Sequence, residues 1–426
     1  MNRKILRLAI PSIAANITTP LLALVDTAIV GHMGSELYIA AIAVGGVMFN
    51  MLYWLFSFLR GGTSGLSAQA CGANDNRAST LVLRRALIVA VGAGLLMVAL
   101  QQPIFRLMSW FLDAGEETTR LASIYFHILI YGAPAVLGNY AMSGWFLGMQ
   151  NSRMLLWVSL TINIVNILSS LLLVYALGLG IAGVATGSLI AQWVGFGAGF
   201  LFLWRYKLTS TTLSDIIRWS ELRRFFSVNI DVMLRTVCLI AVTLWFTRAG
   251  SLQGPLVLAV NTLLMQLFLL FSYMMDGFAF AGEALVGRFV GARDFPSLRL
   301  CVKRLFVWGA AWAAFFTLLY LIGGESFLKL LSDDPNVIDA SSEYFTWALT
   351  IPFAGFAAFA WDGVFIGATM TRGLLLSMFG AMVTFFLTYL LLFPTMGNHA
   401  LWLAFILYLA VRGILQTIIF IRHRWN

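Results

Sequence analysis

Apolar residues in this chain come in runs of about twenty or more, the length a helix needs to cross the hydrocarbon core of a bilayer. Lipid offers no partner to backbone N–H and C=O groups, so such runs must close their hydrogen bonds internally as helices. The charge content agrees. Only 11% of the residues are charged, against about a quarter in a soluble domain, too few to cover a water-facing surface. The opening MNRKILRLAIPSIAAN has the outline of a signal peptide, but its apolar run continues through Val30 and reads as an uncleaved first span. Three cysteines, Cys71, Cys238 and Cys301, lack metal-ligand or CxxC spacing, and no disulfide is expected.

Twelve spans are expected, near 6–31, 38–60, 84–110, 122–148, 155–177, 181–204, 228–247, 255–285, 305–331, 345–368, 374–394 and 400–421. The loops differ in charge. One side collects Arg77, Arg84, Arg85, Arg153, Arg205, Lys207, Arg218, Arg293 and Arg372, together with both termini. The other collects acids such as Glu36, Asp113, Glu116, Asp334 and Glu343. Loops rich in Lys and Arg stay cytoplasmic, which accounts for the net charge of +9 and puts both termini inside.

A repeat runs through the chain at a constant offset of 219 residues. Gly72-Ala73-Asn74-Asp75 matches Gly291-Ala292-Arg293-Asp294, GWFLG from Gly144 matches GVFIG from Gly363, and Tyr125-Phe126 matches Tyr344-Phe345. Three matches at one offset imply two six-span halves, 1–204 and 228–426, joined by a basic linker at 205–227. Six is even, so both halves enter the membrane with the same sense. A pseudo-twofold along the membrane normal and a central cavity are expected, as in transporters.

Polar residues inside spans cost free energy and mark pathways or paired networks. In the first half, Asp26 lies in the outer part of span 1, and Pro20 before it should kink that helix. Asn163, Asn166 and Ser170 share one face of span 5, and Thr186 and Ser188 of span 6 reach the same level. An acid among amides and hydroxyls suits a proton or a small hard cation; amides that merely knit helices together are the plainer reading. In the second half, Asp231 and Arg235 have the i, i+4 spacing of an intrahelical pair. Asp276 and Glu283 share a face of span 8, and Asp362 sits in the inner third of span 10. These five are expected to form a polar network, and the Asp231–Arg235 pair to be structural. His127 reads as a packed histidine. No G-x-x-x-x-G-K-[ST] and no metal-spaced His/Cys set occurs, so ATP drive, resident metals and enzyme chemistry have no support.

The segments AIPSIAANITTPLLALVDTAIVGHMG, GTSGLSAQACGANDNRA and NIVNI leading into LLLVYALGLGIAGVATG resemble the N-terminal lobe of multidrug and toxic compound extrusion (MATE) exporters. DVMLR from Asp231, DGFAFAGEALVGRFVGARD and GNHALWLA resemble the branch named for DNA-damage-inducible protein F. The resemblance covers essentially the whole chain. It implies an all-α membrane protein of twelve transmembrane helices in two pseudo-symmetric six-helix lobes, V-shaped and alternating between inward and outward openings. It implies export of cationic or amphipathic small molecules in exchange for protons or sodium ions, from the inner membrane of a bacterium, by a monomer with no cofactor and no nucleic-acid partner. The family's cation-binding acid carries over to Asp26 and its span-5 amide to Asn166. The acid usual one turn later is Ser170 here. That departure leaves one carboxylate in the outer site and favours the proton over sodium. Another branch's span-10 acid corresponds to Asp362. Related alternatives are a lipid-linked oligosaccharide or lipid flippase and a major-facilitator-like transporter, although the loop GANDNRASTLVLRR departs from the latter's usual signature.

Overall fold

The computed structural model describes residues 1–31, 36–113, 115–331 and 334–423, apart from the side chains at 19–24, 27, 31, 36, 213, 325, 330 and 331. Among the described residues the chain is helical throughout and has no strand. The helices are α1 (Asn2–Gly31), α2 (Glu36–Leu55), α3 (Phe58–Gly72), α4 (Asn76–Ala99), α5 (Gln101–Leu112), α6 (Glu116–Leu129), α7 (Ala133–Gly148) and α8 (Ser152–Leu171). There follow α9 (Gly180–Leu203), the short α10 (Leu213–Ile216), α11 (Trp219–Leu252), α12 (Pro255–Gly291), α13 (Phe295–Leu331), α14 (Pro335–Gly367), α15 (Thr371–Met396) and α16 (Asn398–Arg422).

Among the described residues eleven stretches are long and apolar enough to cross a membrane, α2–α3 and α6–α7 each forming one of them. Helix α1, where the first span is expected, is a further helix of 30 residues, about 45 Å long at 1.5 Å per residue. The kink expected at Pro20 concerns a side chain outside the described residues. Several helices overrun the apolar runs at the basic side: α4 starts at Asn76 rather than 84, and α12 continues to Gly291 rather than 285. Hydropathy measures bilayer thickness, whereas a helix ends where its backbone is capped. Asp75 accepts from the N–H of Ala78 at 2.8 Å and Asp294 from that of Ser297 at 3.1 Å, fixing the starts of α4 and α13.

The chain forms two compact units, Ala14–Phe226 and Met1–Ile13 with Ser227–Asn426, so α1 and α11 each run through both. The 219-residue repeat recurs in backbone detail. Asn74 and Arg293 share a positive φ (56° and 55°), as do Gln150 and Thr369 (64° and 54°) and Gly178 and Gly397 (67° and 54°). Helix crossings repeat as well. A Cβ at Gly144 would lie 2.2 Å from the Arg60 carbonyl oxygen, and one at Gly363 would lie 2.1 Å from that of Ala279. One turn on, Gly148 packs on Ser64 O and Gly367 on Glu283 O in the same way. Small residues let helix backbones approach where lipid supplies no hydrophobic drive for association. Aromatic cores fill the rest: Phe49, Phe105 and Phe126 in the first unit, Phe271, Phe385, Trp402 and Tyr408 in the second. The second unit also buries a reciprocal amide pair, Asn261–Asn398 at 2.8 and 2.9 Å, with the indole of Trp402 donating to Asn261.

Candidate functional site

In the first unit, helix α8 and the turn that continues it are tied to α1 at two levels. The amide of Asn163 donates to the Thr18 carbonyl at 3.2 Å, and the Tyr175 hydroxyl donates to the Ile29 carbonyl at 3.2 Å. The two ties have sequence separations of 145 and 146, so the helices run in the same direction and in register. That register sets Asp26 level with residues 171–172, within a turn of Ser170. At this height α8 gives way to a π-helical turn over Leu172–Ala176. Such bulges concentrate at functional sites because they re-aim neighbouring groups and loosen the helical ladder.

Asn166 donates to the Ser188 hydroxyl at 2.7 Å, joining α8 to α9. Ser170 sits against Gly187, where an added Cβ would come within 2.4 Å of its hydroxyl. Thr186 is half-buried on the same helix. Asp26 Oδ1, Asn166 Oδ1 and Ser170 Oγ are buried and have no hydrogen-bond partner among the described residues. Buried oxygens of this kind are rare and call for a physical reason. Tyr125 of α6 lies within electrostatic reach of the Asp26 carboxylate, although the sequence pattern marked it only as part of the repeat.

The second unit holds a different constellation. Asp362 on α14 accepts through Oδ2 from the guanidinium groups of Arg235 on α11 and Arg412 on α16. Through Oδ1 it accepts from Gln416 at 2.9 Å. The expected intrahelical Asp231–Arg235 pair is not the one formed: Arg235 reaches across to Asp362, and Asp231 accepts from the Thr371 hydroxyl at 2.8 Å. A cross-helix carboxylate held by two guanidinium groups and an amide offers Arg235 a better-satisfied partner than its own helical neighbour. Asp276 interacts electrostatically with Arg412, and Glu283 is fully buried at the α12–α14 crossing. The structure therefore brings Arg235, Asp276 and Asp362 together through Arg412. Arg412 and Gln416 went unnoticed in the sequence. An arginine in the middle of the last apolar run was signal enough to find them.

The 219-residue correspondence sharpens the contrast. Asp26 corresponds to Trp245, Asn166 to Phe385, Ser170 to Tyr389 and Thr186 to Phe405. Trp245 packs edge-on against Phe386 and Tyr389, with ring centroids 5.6 and 6.0 Å apart. In the other direction, Asp362 corresponds to Ser143, Arg412 to Trp193 and Arg235 to Asn16. Each polar constellation thus exists in one half only, and the duplicated positions are neutral or aromatic in the other.

The MatE family model matches this chain twice, over residues 11–172 and 229–392. DNA damage-inducible protein F of Escherichia coli K12 is 36% identical, covering 98% of this chain and 92% of that protein. Protein DETOXIFICATION 44, chloroplastic, of Arabidopsis thaliana is 25% identical, covering 96% and 80%. A solved multidrug resistance MATE family transporter of the MOP superfamily, in an outward-facing conformation, has the same fold. Its TM-score is 0.88 at 20% identity, over 97% of this chain and 94% of that one.

Proposed function

The chain belongs to the MatE family, and from that premise we propose that it is a secondary antiporter exporting cationic or amphipathic small molecules, with the proton as coupling ion and Asp26 as its carrier. The observation that carries this reading is a buried Asp26 carboxylate oxygen with no hydrogen-bond partner among the described residues, within a turn of the level of the neutral Ser170 hydroxyl. A buried carboxylate without a paired cation can shed its charge by taking a proton, and one proton is enough. A hard metal cation would ask for a shell of several oxygen ligands, with Ser170 standing where a second carboxylate would help.

Coupling then follows from differential affinity. Protonated and ionised Asp26 favour different arrangements of α1 against α8, and substrate binds one arrangement better than the other. The hydrogen bond from Asn166 to Ser188 holds α8 to α9 while this happens, so these two residues position the site. The second unit supports the assignment by contrast. Its aspartate is neutralised by tethered guanidinium groups, which suits a framework more than a site that loads and releases ions. Residence in a bacterial inner membrane, with the basic loops and both termini cytoplasmic, completes the reading.

Proteoliposomes with separately imposed proton and sodium gradients test it. Asp26→Asn should fold and bind a fluorescent cationic substrate but lose gradient-driven efflux, while Asn166→Ala should retain part of it. Undiminished efflux by Asp26→Asn would falsify the coupling role, and efflux driven by sodium alone at fixed pH would overturn the proton assignment.

A further inference from the structure

The segment between the two halves carries a sorting of charge that the transport reading does not use. Its two acids both turn toward the first unit. Asp215 pairs with Arg77 at 2.8 Å, and Glu221 lies 3.7 Å from Arg85. Arg85 also donates to the carbonyls of Asp215 and Ile216, and Arg84 to that of Thr211, so α10 is held against α4 along its backbone. The basic side chains of Arg205, Lys207, Arg218, Arg223 and Arg224 all stay exposed, and none has a carboxylate partner among the described residues. Of the five only Arg224 reaches back among the described residues, donating to the Gln69 side chain of α3 at 3.4 Å. Two tryptophans accompany them, Trp204 at 84% and Trp219 at 76% exposure.

Water is a poor environment for two indoles, and hydrocarbon is a poor one for the four remaining cations. A bilayer interface suits both, because indole rings settle at headgroup level and Lys and Arg reach phosphates. The covalent frame brings the segment there: α9 ends at Leu203 as a membrane-crossing helix, and α11 begins at Trp219. Helix α11 has 34 residues, about 51 Å at 1.5 Å per residue, so its first turns outlast a hydrocarbon core of about 30 Å.

We propose that residues 204–224 form a lipid-reading surface: the outward basic side chains bind anionic phospholipid headgroups, and Trp204 and Trp219 anchor the segment in the interface. Turning the acids inward removes the groups that would repel such headgroups, and it keeps the cations unneutralised for them. The surface thereby couples anionic lipid to the segment that joins the two halves.

Hydrogen exchange of the full-length protein tests this in nanodiscs of phosphatidylcholine alone and of phosphatidylcholine with phosphatidylglycerol. Exchange across 204–224 should slow by about threefold or more in the anionic discs, and added salt should remove most of the difference. The R205Q/K207Q/R218Q/R223Q variant keeps the inward contacts of Asp215 and Glu221 and should show no lipid-dependent slowing. Equal exchange of the parent in both lipids, or full protection in the variant, would overturn the proposal. Protection by soluble glycerol phosphate in phosphatidylcholine discs would also overturn it, because the binding would then need no bilayer.

Discussion

Asp362 shows what one buried carboxylate can hold together. It accepts from Arg235 and Arg412 through one oxygen and from Gln416 through the other. Asp362→Ala strands two guanidinium groups and is expected to cost about 3–5 kcal/mol. Arg235→Ala should cost less, because Arg412 remains on the carboxylate. Asp231→Ala loses a hydroxyl donor, Thr371, and should cost about 1 kcal/mol. Thermal unfolding of the detergent-solubilised variants gives the ranking, and equal losses for Asp231→Ala and Asp362→Ala would refute this division of labour. Asp215 offers a second test, at the membrane surface. The N–H and hydroxyl of Thr212 and the Arg77 guanidinium hold its carboxyl down at about 2. Its ionised form therefore favours the Thr212–Asp215 turn of α10, and to a lesser extent its tie to Arg77, at every pH above the ordinary carboxylate value near 3.9, and this contribution is lost as pH falls from there through about 2. Hydrogen exchange at α10, corrected for intrinsic rates, should be flat from neutral pH to about 5 and rise only below that window. Loosening between pH 6 and 7 would show that another group controls the segment.

At the scale of elements, the paired glycine crossings are the feature most exposed to test. Gly144→Ala and Gly363→Ala each push a methyl into the facing helix backbone, against Arg60 and Ala279. Overpacking of that kind costs about 1–3 kcal/mol, and backbone atoms cannot rotate aside. Gly46 and Gly92 have nothing within 4 Å of an added Cβ, so alanine there should be neutral or stabilising by up to about 1 kcal/mol. Melting temperatures of the four variants separate the outcomes, and a neutral Gly144→Ala would remove the crossing's special role. The repeat behind these crossings was legible in the sequence because GANDN/GARDF and GWFLG/GVFIG keep their spacing. Helix ends were less legible. Asp75 and Asp294 cap helices beyond the reach of the apolar signal. The π-helical turn after Ser170 had no sequence signature either, since it depends on how α8 meets α1 and α9.

For the whole molecule, the charge asymmetry predicts topology directly. Single cysteines at Asn74 and Gly373 should label only from the side of the termini, and one at Asp334 only from the opposite side. Labelling of all three from one face would break the twelve-span scheme. Membrane residence, helical class, duplication and the polar residues within spans were determined by the sequence alone. All of these follow from local composition and spacing: lipid forbids unsatisfied backbone, and a repeat preserves its offset. Partnership was decided by tertiary structure. Spacing joined Asp231 to Arg235, yet the folded chain joins both Arg235 and Arg412 to Asp362, across 127 and 50 positions on other helices. Asp26 meets the level of Ser170 through a register set by Thr18–Asn163 and Ile29–Tyr175. Sequence records which groups are costly to bury; which of them meet depends on helices crossing at glycines and on backbone ties that no single segment encodes.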